Sequence, residues 1–204
     1  MSDNVQYDVP ILFLIFNQPE ITAKVFDAIK KVRPKKLFVS ADGPRSGKPG
    51  EDNECLAVRA LLNDIDWDCE LHTRFLDTNF GCKKTVSTAI TWFFEHNEEG
   101  IIIEYDCLPN EDFFIFCKQM LELYRSDTRV MCISGNNFQD GIIRGDGSYY
   151  FSKLATIWGW ATWKRAWKYW EGSLSTFPDF TNQKVLDLSL IHISEPTRLL
   201  SISY

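Results

Sequence analysis

Two carboxylates lie close together in the middle of the chain. Glu104 and Asp106 follow an apolar run at residues 101–103, which predicts a buried strand, and Pro109 ends extended pairing soon afterwards. Ligands bind at the carboxyl ends of strands in open α/β sheets. A partly buried carboxylate without a basic neighbour is costly unless a cation meets it. The pattern therefore indicates a cation site, and a solvated acidic loop after a core strand is the alternative.

The elements that would position these acids alternate between strand and helix patterns. Apolar stretches predict strands at 9–16, 36–41, 101–103 and 129–134, and an alternating pattern predicts a more exposed strand at 69–76. Apolar residues at helical spacing predict helices at 21–32, 54–65, 82–96 and 113–124. This order predicts an α/β fold in which a mainly parallel, Rossmann-like sheet with right-handed crossovers is flanked by helices.

Helix starts and turns add detail to this outline. Asn17 is predicted to cap the first helix, with Glu20 completing an N-x-x-E box, and Asn110 is predicted to cap the helix after the acid pair. The second strand ends in a turn at Asp42, which places that carboxylate at the same sheet edge as Asn17. Leu56 is expected on the buried face of the 54–65 helix.

Tryptophans are concentrated near residue 160. Trp158 and Trp160 flank Gly159 in an expected loop, where aromatic rings suit stacking on a sugar or a base. The spacing of three tryptophans predicts a helix packed on the sheet: Trp163, Trp167 and Trp170.

Composition excludes several classes of protein. The 204 residues are 45% hydrophobic, which is ample for one globular core, and the net charge of −6 argues against a nucleic-acid surface. Neither a signal peptide nor a transmembrane segment is visible, and the six cysteines lack C-x-x-C spacing. We therefore expect a cytoplasmic protein with reduced thiols, and peripheral attachment to the inner membrane stays open. His72 is expected to be a surface strand residue.

Two nucleotide-binding signatures are absent. The first strand is followed by Asn17-Gln18-Pro19 instead of a glycine-rich loop, and G-x-G-x-x-G does not occur. This argues against a dehydrogenase and gives no support to a nucleotidyltransferase. The chain also lacks the spacing of a phosphate-binding P-loop.

Six segments together carry a resemblance to a known family. They are PILFLIFNQPE, KLFVSADGPR, NFGCKKTVSTAI, IIIEYDCLPNEDFF, ISGNNF and YYFSKLATIWGWATW. In this combination the chain resembles a bacterial group of nucleotide-diphospho-sugar transferases with the glycosyltransferase A fold. It is more distantly similar to the animal N-acetylglucosaminyltransferase I of the Glu-Asp-Asp type. The resemblance covers roughly residues 9–170.

The resemblance implies an enzyme that transfers a hexosyl or N-acetylhexosaminyl group in polysaccharide biosynthesis. The donor would be a nucleoside-diphosphate sugar, with a UDP-sugar as the family-level expectation, and the acceptor a glycan or a lipid-linked glycan. Mn²⁺ or Mg²⁺ would be the cofactor. The ion would bridge one carboxylate and the donor phosphates and neutralise the charge on the leaving nucleoside diphosphate.

The resemblance also assigns roles to residues of this chain. Asp106 would bind the metal and Glu104 would lie near the ribose, while Tyr105 replaces a carboxylate that contacts the donor sugar in relatives. The other implied nucleotide-sugar contacts are Phe16, Asn17, Asp42 at the base or ribose, Asn79, Gly81, and Lys83 or Lys84 at the diphosphate. Trp158, Gly159 and Trp160 would stack on the sugar or the acceptor.

The end of the chain departs from the family pattern. Residues 188–204 resemble translated sequencing-adapter read-through, which leaves 1–187 as a nucleotide-sugar-binding domain that is incomplete at its carboxyl end. The family places its catalytic base beyond this point, so this chain is expected to have little transferase activity. The remaining late acids are Glu171, Asp179 and Asp187. The alternative function is a non-catalytic nucleotide-sugar- or carbohydrate-binding module, and a retaining or inverting outcome stays open.

Overall fold

A six-stranded sheet forms the centre of the fold. Its strands are Ile11–Ile15 (β1), Lys36–Ala41 (β2), Glu70–Phe75 (β3), Glu99–Glu104 (β4), Ile133–Ser134 (β5) and Trp160–Trp163 (β6). Their spatial order is β3-β2-β1-β4-β6-β5. β1 to β4 are parallel, whereas β6 is antiparallel to both β4 and β5. The predicted α/β fold with a mainly parallel sheet is confirmed.

The computed structural model describes residues 6–136, 142, 146–153 and 155–173. Residues 1–135 with 157–169 make up one compact unit, and residues 136–156 with 170–204 make up another. The first unit contains every helix and strand that the structure describes. The described residues of the second unit form neither helix nor strand.

Five helices accompany the sheet in the described part of the chain. They are Pro19–Val32 (α1), Glu51–Ala60 (α2), Cys82–His96 (α3), Glu111–Leu123 (α4) and the short Lys164–Trp167 (α5), and a 3-10 turn at Leu61–Asp64 follows α2. β2 and α3 have the bounds predicted from the sequence. Among the described residues, none of the helices is long and apolar enough to cross a membrane.

The two central strands are covered on both faces, which explains their continuous apolar sequences. On one face, Leu12 of β1 and Ile102 of β4 form a core cluster with Phe93 of α3. On the other face, the ring of Phe13 stacks on that of Phe26 in α1, with centroids 6.3 Å apart. Because both faces of these strands are buried, only the residues at the strand ends can face a ligand.

The tryptophan-rich segment differs from its prediction. Trp160 begins β6 and pairs with Ile102, so it does not lie in a loop. Trp163 ends the same strand, buried, with its indole N–H donating to Leu121 O at 3.3 Å, and Trp167 ends α5. The predicted single helical face of Trp163, Trp167 and Trp170 is therefore wrong, because the aromatic and β-branched residues of WATW suit a strand, and this strand pairs with both β4 and β5.

Two details of the helix starts also differ. The N-cap of α1 is Gln18 without a side-chain cap, and Asn17 Nδ2 instead donates to Glu51 Oε1 at 3.0 Å. The predicted Asn17 cap is wrong because α1 begins at Pro19, one residue later than a cap at Asn17 requires, and the Asn17 amide is bonded to Glu51 instead. The Asn110 cap is confirmed, since Asn110 Oδ1 accepts from Phe113 N at 2.9 Å.

The face of α2 was also predicted wrongly. The helix begins at Glu51, three residues before the predicted start, and buries Cys55 and Val58. Leu56 is exposed by 60%. The buried carboxylate of Glu51 fixes the rotation of the helix, and this non-local contact outweighs the apolar periodicity.

Candidate functional site

Parallel pairing brings the carboxyl ends of three strands together. Leu14 of β1 pairs with Glu104 of β4, and Ile15 pairs with Ala41 of β2. Asn17, Asp42 and Glu104 therefore meet at one end of the sheet, which we call the carboxyl edge. Crevices at this edge are where open α/β sheets bind ligands.

Asp42 ties the end of β2 to the turn before α3. Its side chain is buried, with Oδ1 accepting from Gly43 N and Phe80 N at 2.9 Å each and Oδ2 accepting from Gly81 N at 3.2 Å. Three N–H donors around one buried carboxylate compensate its lost hydration. The Asp42 carboxylate thereby fixes the start of α3 at the carboxyl edge, and its contact with a base or ribose stays a prediction.

Asn79 completes the same turn. Its Nδ2 donates to Gly43 O at 3.0 Å, and its Oδ1 accepts from Gly81 N at 3.1 Å. Gly81 has φ +83°, which a glycine adopts without strain, and a side chain at Gly43 would meet Thr78 Cα at 2.6 Å. The chain needs glycine at both positions to close this turn.

A shallow pocket of about 430 Å³ lies at the first turn of α3. Its lining residues are Phe80, Gly81, Cys82, Lys83, Lys84 and Ser87. The Lys84 ammonium lies 4.4 Å from the centroid of the Phe80 ring. Helix N-termini and lysines both attract anions. The predicted diphosphate contact of Lys83 thus lies in a region with suitable chemistry and stays a prediction.

Glu104 and Asp106 lie at the carboxyl edge, and neither has a basic partner among the residues that the structure describes. Glu104 ends β4 and is partly buried, whereas Asp106 is exposed. Burial, and then the negative charge of Asp106, raise the pKa of Glu104. In the described part of the chain, no ion pair includes either residue. The site therefore carries uncompensated negative charge.

The negative charge of this region helps to raise the pKa values of two nearby thiols, Cys82 and Cys107. Burial raises the pKa of Cys82, as do the charges of Glu104, Asp42 and Asp106. Burial, followed by the charges of Asp106 and Glu104, raises the pKa of Cys107 to about 11. Cys107 is therefore a neutral thiol at pH 7, and its Sγ donates to Asp106 Oδ1 at 3.6 Å.

Tyr105 lies between the two acids and is held from α1. Gln18 Nε2 donates to Tyr105 Oη at 3.4 Å, and burial together with the charge of Asp106 raises the pKa of the phenol. The neutral ring therefore stands where the resembled family carries a third carboxylate. Its contact with a donor sugar stays a prediction.

Glu51 organises the other side of the carboxyl edge, and sequence analysis missed it. Only 4% of Glu51 is exposed, and its carboxylate accepts from Arg45 N at 2.6 Å, from Arg45 Nε at 2.9 Å and from Arg45 Nη2. The guanidinium of Arg45 lies 5.5 Å from the centroid of the Phe16 ring. Glu51 thus joins α2, the 45–50 loop and Asn17 at the end of β1. The sequence contains one sign of this contact: an acidic residue at the start of a helix, preceded by a loop that begins with an arginine.

The Trp158-Gly159-Trp160 segment reaches the same edge. Because β6 runs antiparallel to β4, its first residue, Trp160, pairs with Ile102 near the end of β4. Trp158 is 59% exposed, and Gly159 has φ +75°. The structure therefore brings this segment to the carboxyl edge, while stacking on a sugar or acceptor stays a prediction.

The remaining predicted residues are not placed at the site. Glu171 belongs to the second compact unit, and Asp179, Asp187 and the 188–204 segment lie outside the described residues. Within the described ranges, no three His, Cys, Asp or Glu side chains are grouped as a metal site. A cation at Asp106 would therefore need ligands from a bound molecule or water.

Comparison with known proteins gives little further information. The chain matches neither a family model nor a curated protein. A 4-diphosphocytidyl-2C-methyl-D-erythritol synthase from Anaerococcus prevotii is similar with a TM-score of 0.45 and 9% identity, over 98% of this chain and 81% of that chain. A second structure of such a synthase has a TM-score of 0.38 and 11% identity, over 81% of this chain and 82% of that chain. These values carry no argument about function.

The hydrogen bonds of Asp42 predict that replacing its carboxylate by an amide lowers the stability of the folded chain. In Asp42→Asn, an NH₂ group replaces one oxygen and faces backbone N–H donors, so we expect a loss of about 2 kcal/mol in the free energy of unfolding. Urea denaturation measures this loss, and hydrogen exchange at Phe80 and Gly81 should accelerate. Asp77→Asn, at an exposed position in the same loop, is the control and should change stability by less than about 0.5 kcal/mol. Equal effects of the two substitutions would contradict this role.

The Glu51 network predicts a pH dependence of stability. Hydrogen bonds from Arg45 lower the pKa of Glu51 from 4.5 to about 2. The unfolded chain therefore binds more protons between these values, and the stabilisation present above pH 4.5 is lost as the pH falls towards 2. Urea midpoints of wild type and Glu51→Gln should converge over that interval. Glu54→Gln, at an exposed position on the same helix, should show no such convergence, and a constant gap for Glu51→Gln would contradict the assignment.

Proposed function

We propose that this chain is the donor-binding domain of a metal-dependent glycosyltransferase, an enzyme that moves a sugar from a nucleoside-diphosphate donor to a glycan or lipid-linked acceptor. The observation that carries the proposal is the pair Glu104 and Asp106, two carboxylates without a basic partner at the end of a central parallel strand. The resemblance of the sequence to nucleotide-diphospho-sugar transferases supplies the substrate class.

Asp106 would hold Mn²⁺ or Mg²⁺. Its carboxylate oxygens are hard donors of the kind that both ions prefer, and two phosphates of a donor would supply further oxygens. The uncompensated charge of Glu104 beside Asp106 fits a site that gains a cation together with its substrate. When bound, the ion would neutralise charge on the leaving nucleoside diphosphate.

The surrounding residues would bind and orient the donor. The start of α3, with Lys83 and Lys84, is suited to the diphosphate because it combines N–H groups with positive charge. Phe16 and Asn17 would shape the nucleotide pocket, where Arg45 and Glu51 hold them in place. Asp42 would act chiefly by fixing the turn on which the diphosphate rests.

Trp158 and Tyr105 would contact the sugar. Trp158 offers an exposed indole face at the carboxyl edge, and sugars stack on such rings. Tyr105 offers a neutral phenol that Gln18 holds beside the metal carboxylate. Replacing a carboxylate by this phenol would change which sugar hydroxyls can be hydrogen-bonded, and so would affect the choice of donor.

A donor-binding experiment tests the metal site directly. Calorimetry of UDP binding should show tight binding only with Mn²⁺ present, and Asp106→Asn should weaken that binding at least about tenfold because the metal loses its protein ligand. Asp112→Asn, at an exposed position nearby on α4, is the matched control and should bind as wild type does. UDP binding that is equally strong without Mn²⁺, or unaffected by Asp106→Asn, would contradict the proposal.

A non-catalytic nucleotide-sugar-binding module is the second candidate, and Tyr105 is the observation that favours it. We expect Mn²⁺-dependent release of UDP from UDP-sugars to rise in Tyr105→Asp, since the substitution restores the carboxylate of the resembled family. Tyr105→Phe, which keeps the ring, is the control and should not raise it. Mn²⁺-dependent UDP release that rises in Tyr105→Asp and not in Tyr105→Phe would contradict the binding module.

A further inference from the structure

One side of β3 has no hydrogen-bonding partner in the described structure. β3 is the first strand in the sheet order and pairs only with β2. Glu70 N donates to Lys35 O at 2.8 Å and Leu76 N donates to Ala41 O at 3.0 Å, so even-numbered residues bond to β2. The N–H and C=O groups of Leu71, Thr73 and Phe75 consequently point away from the sheet. Unpaired groups of this kind are a template for another strand.

The same three residues place apolar surface beside that open side. Leu71 is 40% exposed and Phe75 is 38% exposed, although both are large hydrophobic residues in a strand. They lie on one face of β3, two positions on either side of Thr73. Leu71 and Phe75 are equally spaced from Thr73, so an antiparallel second copy of the strand would place each of them beside the other.

We propose that β3 pairs antiparallel with β3 of a second copy of this chain, with the two-fold axis at Thr73. In this register each Leu71 lies opposite Phe75 of the other copy, and Thr73 lies opposite Thr73. All the outward N–H and C=O groups of Leu71, Thr73 and Phe75 then form hydrogen bonds across the axis. The pairing extends the sheet through both copies and covers the two exposed apolar side chains.

The charges on the opposite face of β3 are compatible with this register. Glu70 is diagonal to Arg74 of the second copy, within reach of a long side chain, and no two carboxylates face each other. His72 lies directly opposite Arg74 of the second copy, and Glu70 of its own copy is 2.8 Å from the His72 ring. Within one copy, Glu70 already contacts Lys36 and His72, so its negative charge is compensated within that copy. Two six-residue strands cover much less than the roughly 1,200 Å² of a standard interface, so the dimer is expected to be weak and dependent on concentration.

Sedimentation velocity over a concentration series tests the association. Wild type should shift from monomer to dimer as concentration rises, and Leu71→Lys should weaken the association at least about tenfold because the symmetry repeats the substitution. Ile115→Lys is the matched control, since Ile115 is 55% exposed on α4 and should leave the association unchanged. A wild type that stays monomeric into the millimolar range, or equal effects of the two variants, would overturn the proposal.

Disulfide cross-linking tests the register without relying on stability. In a Cys82→Ser background, which removes an exposed native thiol, Thr73→Cys should form a covalent dimer with oxidised glutathione. Paired Cα atoms at the axis would be about 5.5 Å apart, within the range of a disulfide. Leu71→Cys is the control, because its own counterpart would lie four residues along the strand, about 13 Å away. Cross-linking through Leu71→Cys as fast as through Thr73→Cys, or through neither, would overturn this register.

Discussion

Parallel pairing of β1 with both β2 and β4 is the constraint on which the proposed site depends. It aligns Leu14 with Glu104 and Ile15 with Ala41, so the residues that follow each strand must emerge at one edge. Burial on both faces keeps that register, because a slip by one residue would exchange side chains such as Leu12 and Phe13 between two faces that are packed differently. Residues that are distant in sequence are thereby held within one crevice.

Two carboxylates stabilise the edge, and two others leave it charged. Asp42 accepts three backbone N–H bonds and Glu51 is held by Arg45, so both negative charges are compensated inside the protein. Glu104 and Asp106 have no such compensation in the described structure. Carboxylates at one edge thus have different roles. The hydrogen-bond donors around each carboxylate determine whether it is available to a cation.

The sequence predicted elements whose signals are local. β2 and α3 follow from their apolar patterns, and the Asn110 cap follows from a polar residue just before a helical stripe. The acid pair at the end of β4 was predicted in the same way, because an apolar run and a proline bracket it.

Non-local contacts account for what the sequence could not predict. The amide of Asn17 binds Glu51, 34 residues away, and this contact replaces the expected helix cap. Trp160 joins a strand through pairing with Ile102 of β4 and Ser134 of β5, which are distant from it in sequence. The turn around Asp42 depends on Phe80 and Gly81, whose backbone donors no side-chain pattern reveals.

Paramagnetic broadening by Mn²⁺ in amide NMR spectra would test the central claim most directly. If Asp106 holds a cation that a nucleoside diphosphate completes, Mn²⁺ with UDP should broaden the amides of residues 104–108 and 80–84. Mn²⁺ alone should broaden them much less. Broadening at the opposite end of the sheet, near Lys35 and Glu99, or no difference on adding UDP, would contradict the account.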